Sequence, residues 1–540
     1  MPFDMILANG DIYDGSGGEP FDADIGIRGD TIAAIGNLSD ADAAEIIDCT
    51  GLAVSPGFID IHAHSDVTLL ANPRAESKIR QGVTTECTGQ CGLGLYPVRD
   101  RDRQNLRDAC TFIVVAPTEL TWNSTGEYIE CLRDAKPAVN VAPMVAQSPV
   151  RAYAMGFESA PANDEQIAAM CEVLRQAFSE DAVGLSLGLA YALGNAADRD
   201  EVQALCRVVA EEDRHVSVHI RNEGPRVVEA LREMVSVARA LADEGLMLRL
   251  QLDHMKTAGR RNWHLMEPAL EVVENAREEG LDVAFDVYPY DVASRHLSGS
   301  FPGWMHSGGN EKFLQRLGDD DIRRRFKQDL EDWKAGKDVH HPLEFSMDRI
   351  MVVEVDTEKN EWTIGKFLDE IAAQRGGDPL DAIFDFLIQE RGHISVALFS
   401  QDEKNVKMCL SHPLSMIGSD GFALAPYGDL CHGRPHPRSY GTYPRFLGKY
   451  VRDENLMSLS EAVHKCTARP AARLKLDDRG TISEGLRADI TVFDPATIID
   501  RATYTDPHQY PIGVEYVIVN GVPTVMKGEH TGAGAGRVLH

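Results

Sequence analysis

Positive charge is scarce in this chain. Its 540 residues carry 54 lysines and arginines against 84 aspartates and glutamates, a formal net charge of −30. A field of that sign repels phosphate backbones and anionic bilayers, which argues against nucleic acid and membranes as partners. It also requires that an anionic substrate be met by a local group of cations. Long apolar runs are missing too: no stretch of 18 or more apolar residues offers a transmembrane helix. The start, Met1-Pro2-Phe3-Asp4-Met5, has no basic region of the kind that opens a secretory signal. The ten cysteines follow no paired spacing, so they read as reduced thiols or metal ligands in a cytoplasmic protein. No Gly-x-Gly-x-x-Gly turn opens a helix, which leaves a dinucleotide fold without support. An acyl-enzyme route through a serine nucleophile has little support either. Finally, lysine is absent from Pro137 to Met255, so the middle of the chain cannot supply a carboxylated lysine to bridge two metals.

What is present is organised in three textures. A hydrophobic fraction of 43% and a mean hydropathy of −0.24 belong to a globular protein with one large and one accessory domain. Both ends are strand-like, with alternating apolar residues and Gly/Asp turns, and predict one small β domain from residues 1–56 and 480–540. The glycine-rich stretch from Thr531 to Gly536 reads as a flexible tail. Between the ends, amphipathic helices such as Asp164 to Ser179 and Gly224 to Glu244 alternate with short apolar runs. Repeated βα units imply a parallel sheet, and a closed (β/α)8 barrel over residues 57–479 is the architecture expected. Its strands are expected at 58–62, 83–87, 140–144, 183–187, 215–219, 248–253, 282–287 and 415–419. Residues 295–400, too long for one loop, read as an insertion over the barrel mouth, with helices around 311–335 and 362–390 and strands around 349–355 and 393–399.

The chemistry concentrates at strand ends. In Asp60-Ile61-His62-Ala63-His64 the two histidines are two residues apart, so a strand projects both imidazoles to one side, where they can share a divalent metal. Active sites of (β/α)8 barrels lie at the C-terminal ends of the strands. There the sequence places Cys91 in Thr88-Gly89-Gln90-Cys91-Gly92, His219, His254 in Asp253-His254-Met255-Lys256, and Asp420 in Gly418-Ser419-Asp420-Gly421. Imidazoles with a thiolate and a carboxylate suit zinc.

These motifs, with Gly188-Leu189-Ala190-Tyr191, His219-Ile220-Arg221-Asn222-Glu223, Asp286-Val287-Tyr288-Pro289-Tyr290, His436-Pro437-Arg438 and Arg479-Gly480-Thr481-Ile482, resemble the N-acyl-D-amino-acid deacylases (D-aminoacylases) of the amidohydrolase superfamily. The resemblance spans nearly the whole chain. It implies a tightly held zinc on Cys91, His219 and His254, and a second, weaker metal position on His62, His64 and Asp420. It implies hydrolysis of N-acyl-D-amino acids, with Asp420 as general base and acid. It further implies that Arg438, Lys256, Tyr288 and Ser294 hold the substrate carboxylate and that Tyr191 lies near the reacting amide. The family motif places the cysteine ligand immediately before glycine, which favours Cys91 over the neighbouring Cys87. Gln90 stands where the family often has Asn. The segment Ala192-Leu193-Gly194-Asn195 lacks the proline often found after the tyrosine, and the segment 421–432 is longer than in a compact member. Arg295 could meet an acidic side chain or serve only the surface. The competing readings are another zinc amidohydrolase acting on a cyclic or dipeptide-like amide, and a non-catalytic scaffold.

Overall fold

Eight short apolar runs settle as parallel strands because each is followed by a crossover long enough to return the chain to the same end. In the computed structural model they are β1 (Phe58–Asp60), β2 (Val83–Thr88), β3 (Asn140–Pro143), β4 (Gly184–Gly188), β5 (His215–His219), β6 (Arg249–Leu252), β7 (Val283–Val287) and β8 (Ser415–Ile417). The structure describes residues 2–158, 160–191, 193–306, 309–334 and 346–540. Ala192 of the loop after Tyr191, and residues 335–345 of the expected insertion, lie outside the described residues.

The strands pair in parallel from β1 through β3 and from β4 through β8. The short strand Val145–Ala146, just past β3, pairs with β4. The ring closes at its rim, where Asp420 N donates to His62 O at 2.8 Å and His64 N to Gly421 O at 2.9 Å. Every residue of β2, β4, β5 and β7 is buried, as expected of strands covered on both faces. The crossover helices bury one stripe each: Leu231, Met234, Ala238 and Leu241 face the barrel from Val227–Asp243. Asn163 and Gln166 cap Asp164–Ser179 reciprocally, each side chain accepting from the other's backbone N–H at 2.9 Å. The barrel expected from the sequence is the observed one, with strand ends shifted by a residue or two.

Strands from both termini form one nine-stranded sheet around a core that includes Leu7, Ile25, Ile27, Ile490, Val492 and Ile518. Asp489 joins this sheet to the barrel. One carboxylate oxygen accepts from Asn520 N at 2.6 Å, the other from Asn140 Nδ2 of β3 at 2.9 Å, and Arg479 pairs with it. The glycine-rich tail departs from the sequence reading. Gly536 N donates to Pro137 O at 2.8 Å, and Asn520 Nδ2 donates to Ala535 O at 2.8 Å. A Cβ on Gly536 would sit 1.9 Å from Val139 O. Its glycine permits close approach to the barrel base rather than slack.

Between β7 and β8 the chain builds a three-stranded antiparallel sheet of Ala293–His296, Ile350–Val355 and Ile394–Leu398. Each of the two expected helices is split, into Asn310–Leu317 and Asp320–Lys334, and into Leu368–Arg375 and Pro379–Gln389. The breaks fall at Gly318-Asp319 and Gly376-Gly377-Asp378, where each aspartate accepts from the backbone N–H groups that open the next helix. These elements bury a core of their own, including Phe301, Phe313, Phe326, Phe384 and Leu387.

Asp489→Ala removes a carboxylate partner of the buried Arg479 and leaves two further donors, Asn520 N and Asn140 Nδ2, without their acceptor. It should cost about 3–5 kcal/mol of unfolding free energy, measured by urea denaturation; a loss below about 1 kcal/mol would remove Asp489 as the joint between sheet and barrel.

Candidate metal centre and active site

The strand ends turn sharply to aim their side chains inward. Cys91, His254 and Asp420 all adopt left-handed backbone conformations, with φ of 57°, 31° and 49°. Each costs an L-residue roughly 1–2 kcal/mol and persists only where the surroundings over-determine it. At Cys91 the surroundings are visible. A Cβ on Gly92 would lie 2.2 Å from Gly188 N, so only glycine lets this loop press against β4. Ser186, inside β4, fastens it: its Oγ accepts from Gly92 N at 3.0 Å and donates to Gly89 O at 2.5 Å. Gly184-Leu185-Ser186-Leu187-Gly188 has the Gly-x-Ser-x-Gly spacing of a nucleophile elbow, which the sequence reading passed over. Here the serine is fully buried in mid-strand with both hydrogen bonds committed, not exposed on a strand-to-helix turn.

Five strand ends converge. Cys91 Sγ lies 3.3 Å from His62 Nε2 and 3.4 Å from His254 Nε2, and His254 Nε2 lies 3.0 Å from His219 Nδ1. His64 Nε2 is 3.0 Å from Asp420 Oδ1, and His62 Nε2 is 3.7 Å from the same oxygen. The ligand atoms of His62, Cys91, His254 and Asp420 fall within 4.8 Å of one another. Tetrahedral zinc, with bonds of about 2.0–2.3 Å, sets its ligand atoms roughly 3.3–3.7 Å apart. Donor spacing and donor chemistry therefore fit zinc. The two sets named from sequence are not separate clusters, because the Cys91 thiol faces both.

Burial opposes ionisation of Cys91, but His62, His254 and His219 hold its pKa well below that of a free thiol. Cys87 has the opposite character. Burial pushes its thiol up, and it packs with Ile59, Ile61 and Met144. Asp420 is also held far below the usual carboxylate range; burial works against this, and Arg438, His254 and His64 outweigh it.

Carboxylates stand behind the imidazoles. Asp286 Oδ1 lies 3.3 Å from His62 Nδ1 and accepts from His254 N at 2.8 Å. Glu223 Oε1 lies 3.1 Å from His254 Nδ1 and 2.7 Å from Lys256 Nζ. Such partners fix ring orientation and raise ligand basicity. Both residues lie inside sequence motifs without an expected role of their own; their position near strand ends beside the expected ligands is the signal that marks them.

Two of the residues expected on the substrate side, Arg438 and Lys256, form a cationic group. Tyr288 is flanked by Arg438, whose Cζ is 4.9 Å from the ring centre, and by Lys256, whose Nζ is 5.6 Å from it. Gln401, which no motif flagged, donates to Tyr288 Oη at 3.0 Å, a bond that does not use the phenolic proton. Arg438 Nη1 is at 2.6 Å from Asp420 Oδ2. Tyr191 Oη lies 3.4 Å from His219 Nδ1. Ser294 is half-buried in Ala293–His296 opposite Ala397. Arg295, beside it, donates to Gly299 O at 3.1 Å.

The model described as "Amidohydrolase family" matches residues 45–311 and 347–525. The D-aminoacylase of Alcaligenes xylosoxydans xylosoxydans is 36% identical over 539 residues, covering 100% of this chain and 98% of that protein. N-acyl-D-glutamate deacylase from Bordetella bronchiseptica, solved with zinc and a phosphonate inhibitor, superposes with a TM-score of 0.83 at 31% identity, covering 100% of both chains. A D-aminoacylase structure described as having a binuclear metal centre superposes with a TM-score of 0.79 at 33% identity, again over 100% of both chains.

Cys91→Ala should reduce metal retained after dialysis by about tenfold or more, measured by elemental mass spectrometry, while Cys87→Ala keeps the wild-type content. Equal retention in both variants would remove Cys91 from the centre.

Proposed function

The chain belongs to the amidohydrolase family, and from that membership we infer that it is a zinc-dependent deacylase that cleaves N-acyl-D-amino acids to a carboxylate and a free D-amino acid. One observation carries the assignment of its residues: a thiolate, imidazoles and a carboxylate from five strand ends meet beside two cations that flank one tyrosine. When bound, zinc supplies the acidified water and the Lewis acid that amide hydrolysis needs. Cys91, His219 and His254 would hold the tight ion, and His62, His64 and Asp420 a second, weaker one.

Asp420 has the position and charge to accept a proton from the attacking water and return it to the departing amine. Its partner Arg438 also faces Tyr288, so the guanidinium can reach from the base to an anion lying on the ring. Lys256 and Arg438, with the phenol of Tyr288, form the carboxylate-binding side. This is the local positive charge that a chain of net charge −30 needs in order to hold an anionic substrate. Tyr191, against His219, would line the reacting amide, and Ser294 the outer edge of the carboxylate side. All ten cysteines are unpaired, which supports a reducing, cytoplasmic setting. No described helix is long and apolar enough to cross a membrane.

N-acetyl-D-methionine should be hydrolysed and its L-enantiomer spared, and replacing the α-carboxylate by a carboxamide should cost most of kcat/KM. Preference for the L-form, or indifference to the carboxamide, overturns the substrate assignment. Asp420→Asn should retain the tight metal while turnover falls by about 10²–10⁴; unchanged turnover removes Asp420 from proton transfer.

A further inference from the structure

Among the described residues β1 and β8 share no strand ladder, only the two backbone hydrogen bonds at the rim. Beneath the metal centre, side chains close that gap. Asp60, at the end of β1, accepts from Ser419 N at 2.8 Å and from Ser419 Oγ at 2.5 Å. Lys78 Nζ donates to Asp60 Oδ2 at 2.6 Å and to Ser419 Oγ at 2.7 Å, and pairs with Glu86 Oε1 of β2 at 3.2 Å. All four residues are at 0% exposure. A lysine so deeply buried is tolerated only because paired carboxylates surround it.

The network reaches the backbone on both sides of the gap. Asp60 Oδ1 accepts from His62 N at 3.3 Å, and Ser419 Oγ accepts from Gly421 N at 3.0 Å. Asp420 is therefore clamped through both of its chain neighbours. Lys78 is itself fixed from the loop after β8: Ser77 N donates to Leu424 O at 2.9 Å, and Leu424 N donates to Ser77 Oγ at 2.8 Å. We propose that Lys78, acting through Asp60 and Ser419, is a positioning residue that sets the distance between the His62–His64 pair and Asp420, and so the affinity of the second metal position. This rests on the reading of those three residues as metal ligands.

The test uses the full chain loaded with one zinc. Cobalt(II) is titrated into wild type, Ser419→Ala, the charge-neutral double variant Lys78→Met/Asp60→Asn, and His64→Ala. Binding is followed by the visible absorption of the ion, with thermal melting measured in parallel. Ser419→Ala removes a hydroxyl but no charge, so it keeps the test decisive if the double variant does not fold. The expected result is zinc retained at the Cys91 position, cobalt affinity weakened by about tenfold or more in the network variants, and cobalt uptake lost in His64→Ala. Folded network variants that bind cobalt as wild type does overturn the role of Lys78 while leaving the metal position intact. Parallel loss of zinc and cobalt overturns it as well, since that is the signature of general loosening. If His64→Ala binds cobalt unchanged, the metal reading of His62, His64 and Asp420 falls, and the proposal falls with it.

Discussion

A thiolate at 1% exposure is the constraint around which this molecule is arranged. Sulfur carrying a full charge away from water needs positive charge at contact distance. Cys91 finds imidazoles from three other strand ends, His62, His254 and His219. Meeting that need forces the chain into local conformations it would otherwise avoid. Three of the converging residues sit in the left-handed region, two glycines let β2 and β4 touch, and Ser186 spends both lone pair and proton holding the turn. The strain is local to the rim, and behind it the barrel combines apolar packing with the buried Lys78–Asp60–Glu86 network.

Charge is organised in shells of alternating sign. Imidazoles and thiolate lie at the centre, carboxylates of Asp286 and Glu223 stand behind them, and the cations Lys256 and Arg438 flank Tyr288. Lys256 is shared between Glu223 and Tyr288, and Arg438 between Asp420 and Tyr288. Each cation thus has one protein carboxylate and one aromatic face, and neither is left bare when no substrate is present. An incoming carboxylate adds a second anion to a pair already formed, which places its charge against two donors without first requiring a buried cation to be exposed.

Much of this was legible in the chain. The barrel strands follow from short apolar runs between amphipathic helices, because covering a parallel strand on both faces imposes that pattern. The convergence of imidazole, thiol and carboxylate groups follows from His-x-His and from residues at expected strand ends. The remainder depends on contacts remote in sequence. Lys78 reads as one more surface lysine until Ser419, 341 positions away, comes to meet it. Gln401 lies 113 positions from the tyrosine it orients. The tail glycines suggest slack because glycine has two uses, and only the approach of Val139 distinguishes them. The two expected helices of the insertion were over-extended because a Gly-Asp stop is weaker in the sequence than the amphipathic stripe it interrupts.

Of the expected departures from the family pattern, Gln90 adjoins Cys91 itself, whereas the loop after β8 runs to the insertion. The loop after β8 meets the insertion where Arg434 N donates to Val353 O at 2.8 Å and His432 Nδ1 lies 2.6 Å from Glu354 Oε1. The other nitrogen of His432 lies 2.7 Å from Val115 O, in the loop after β2. One imidazole thereby joins three separate segments of the roof. The Glu354 hydrogen bond, aided by Val115, pushes its pKa up to about 9, so it is charged at neutral pH and can donate to both partners at once. The roof owes its arrangement to this junction and to the insertion's separate core, and the ligand cage owes its own to the strand ends. Sequence change can therefore accumulate in the roof, altering what surrounds a substrate, while the geometry that grips the metal stays as the barrel dictates.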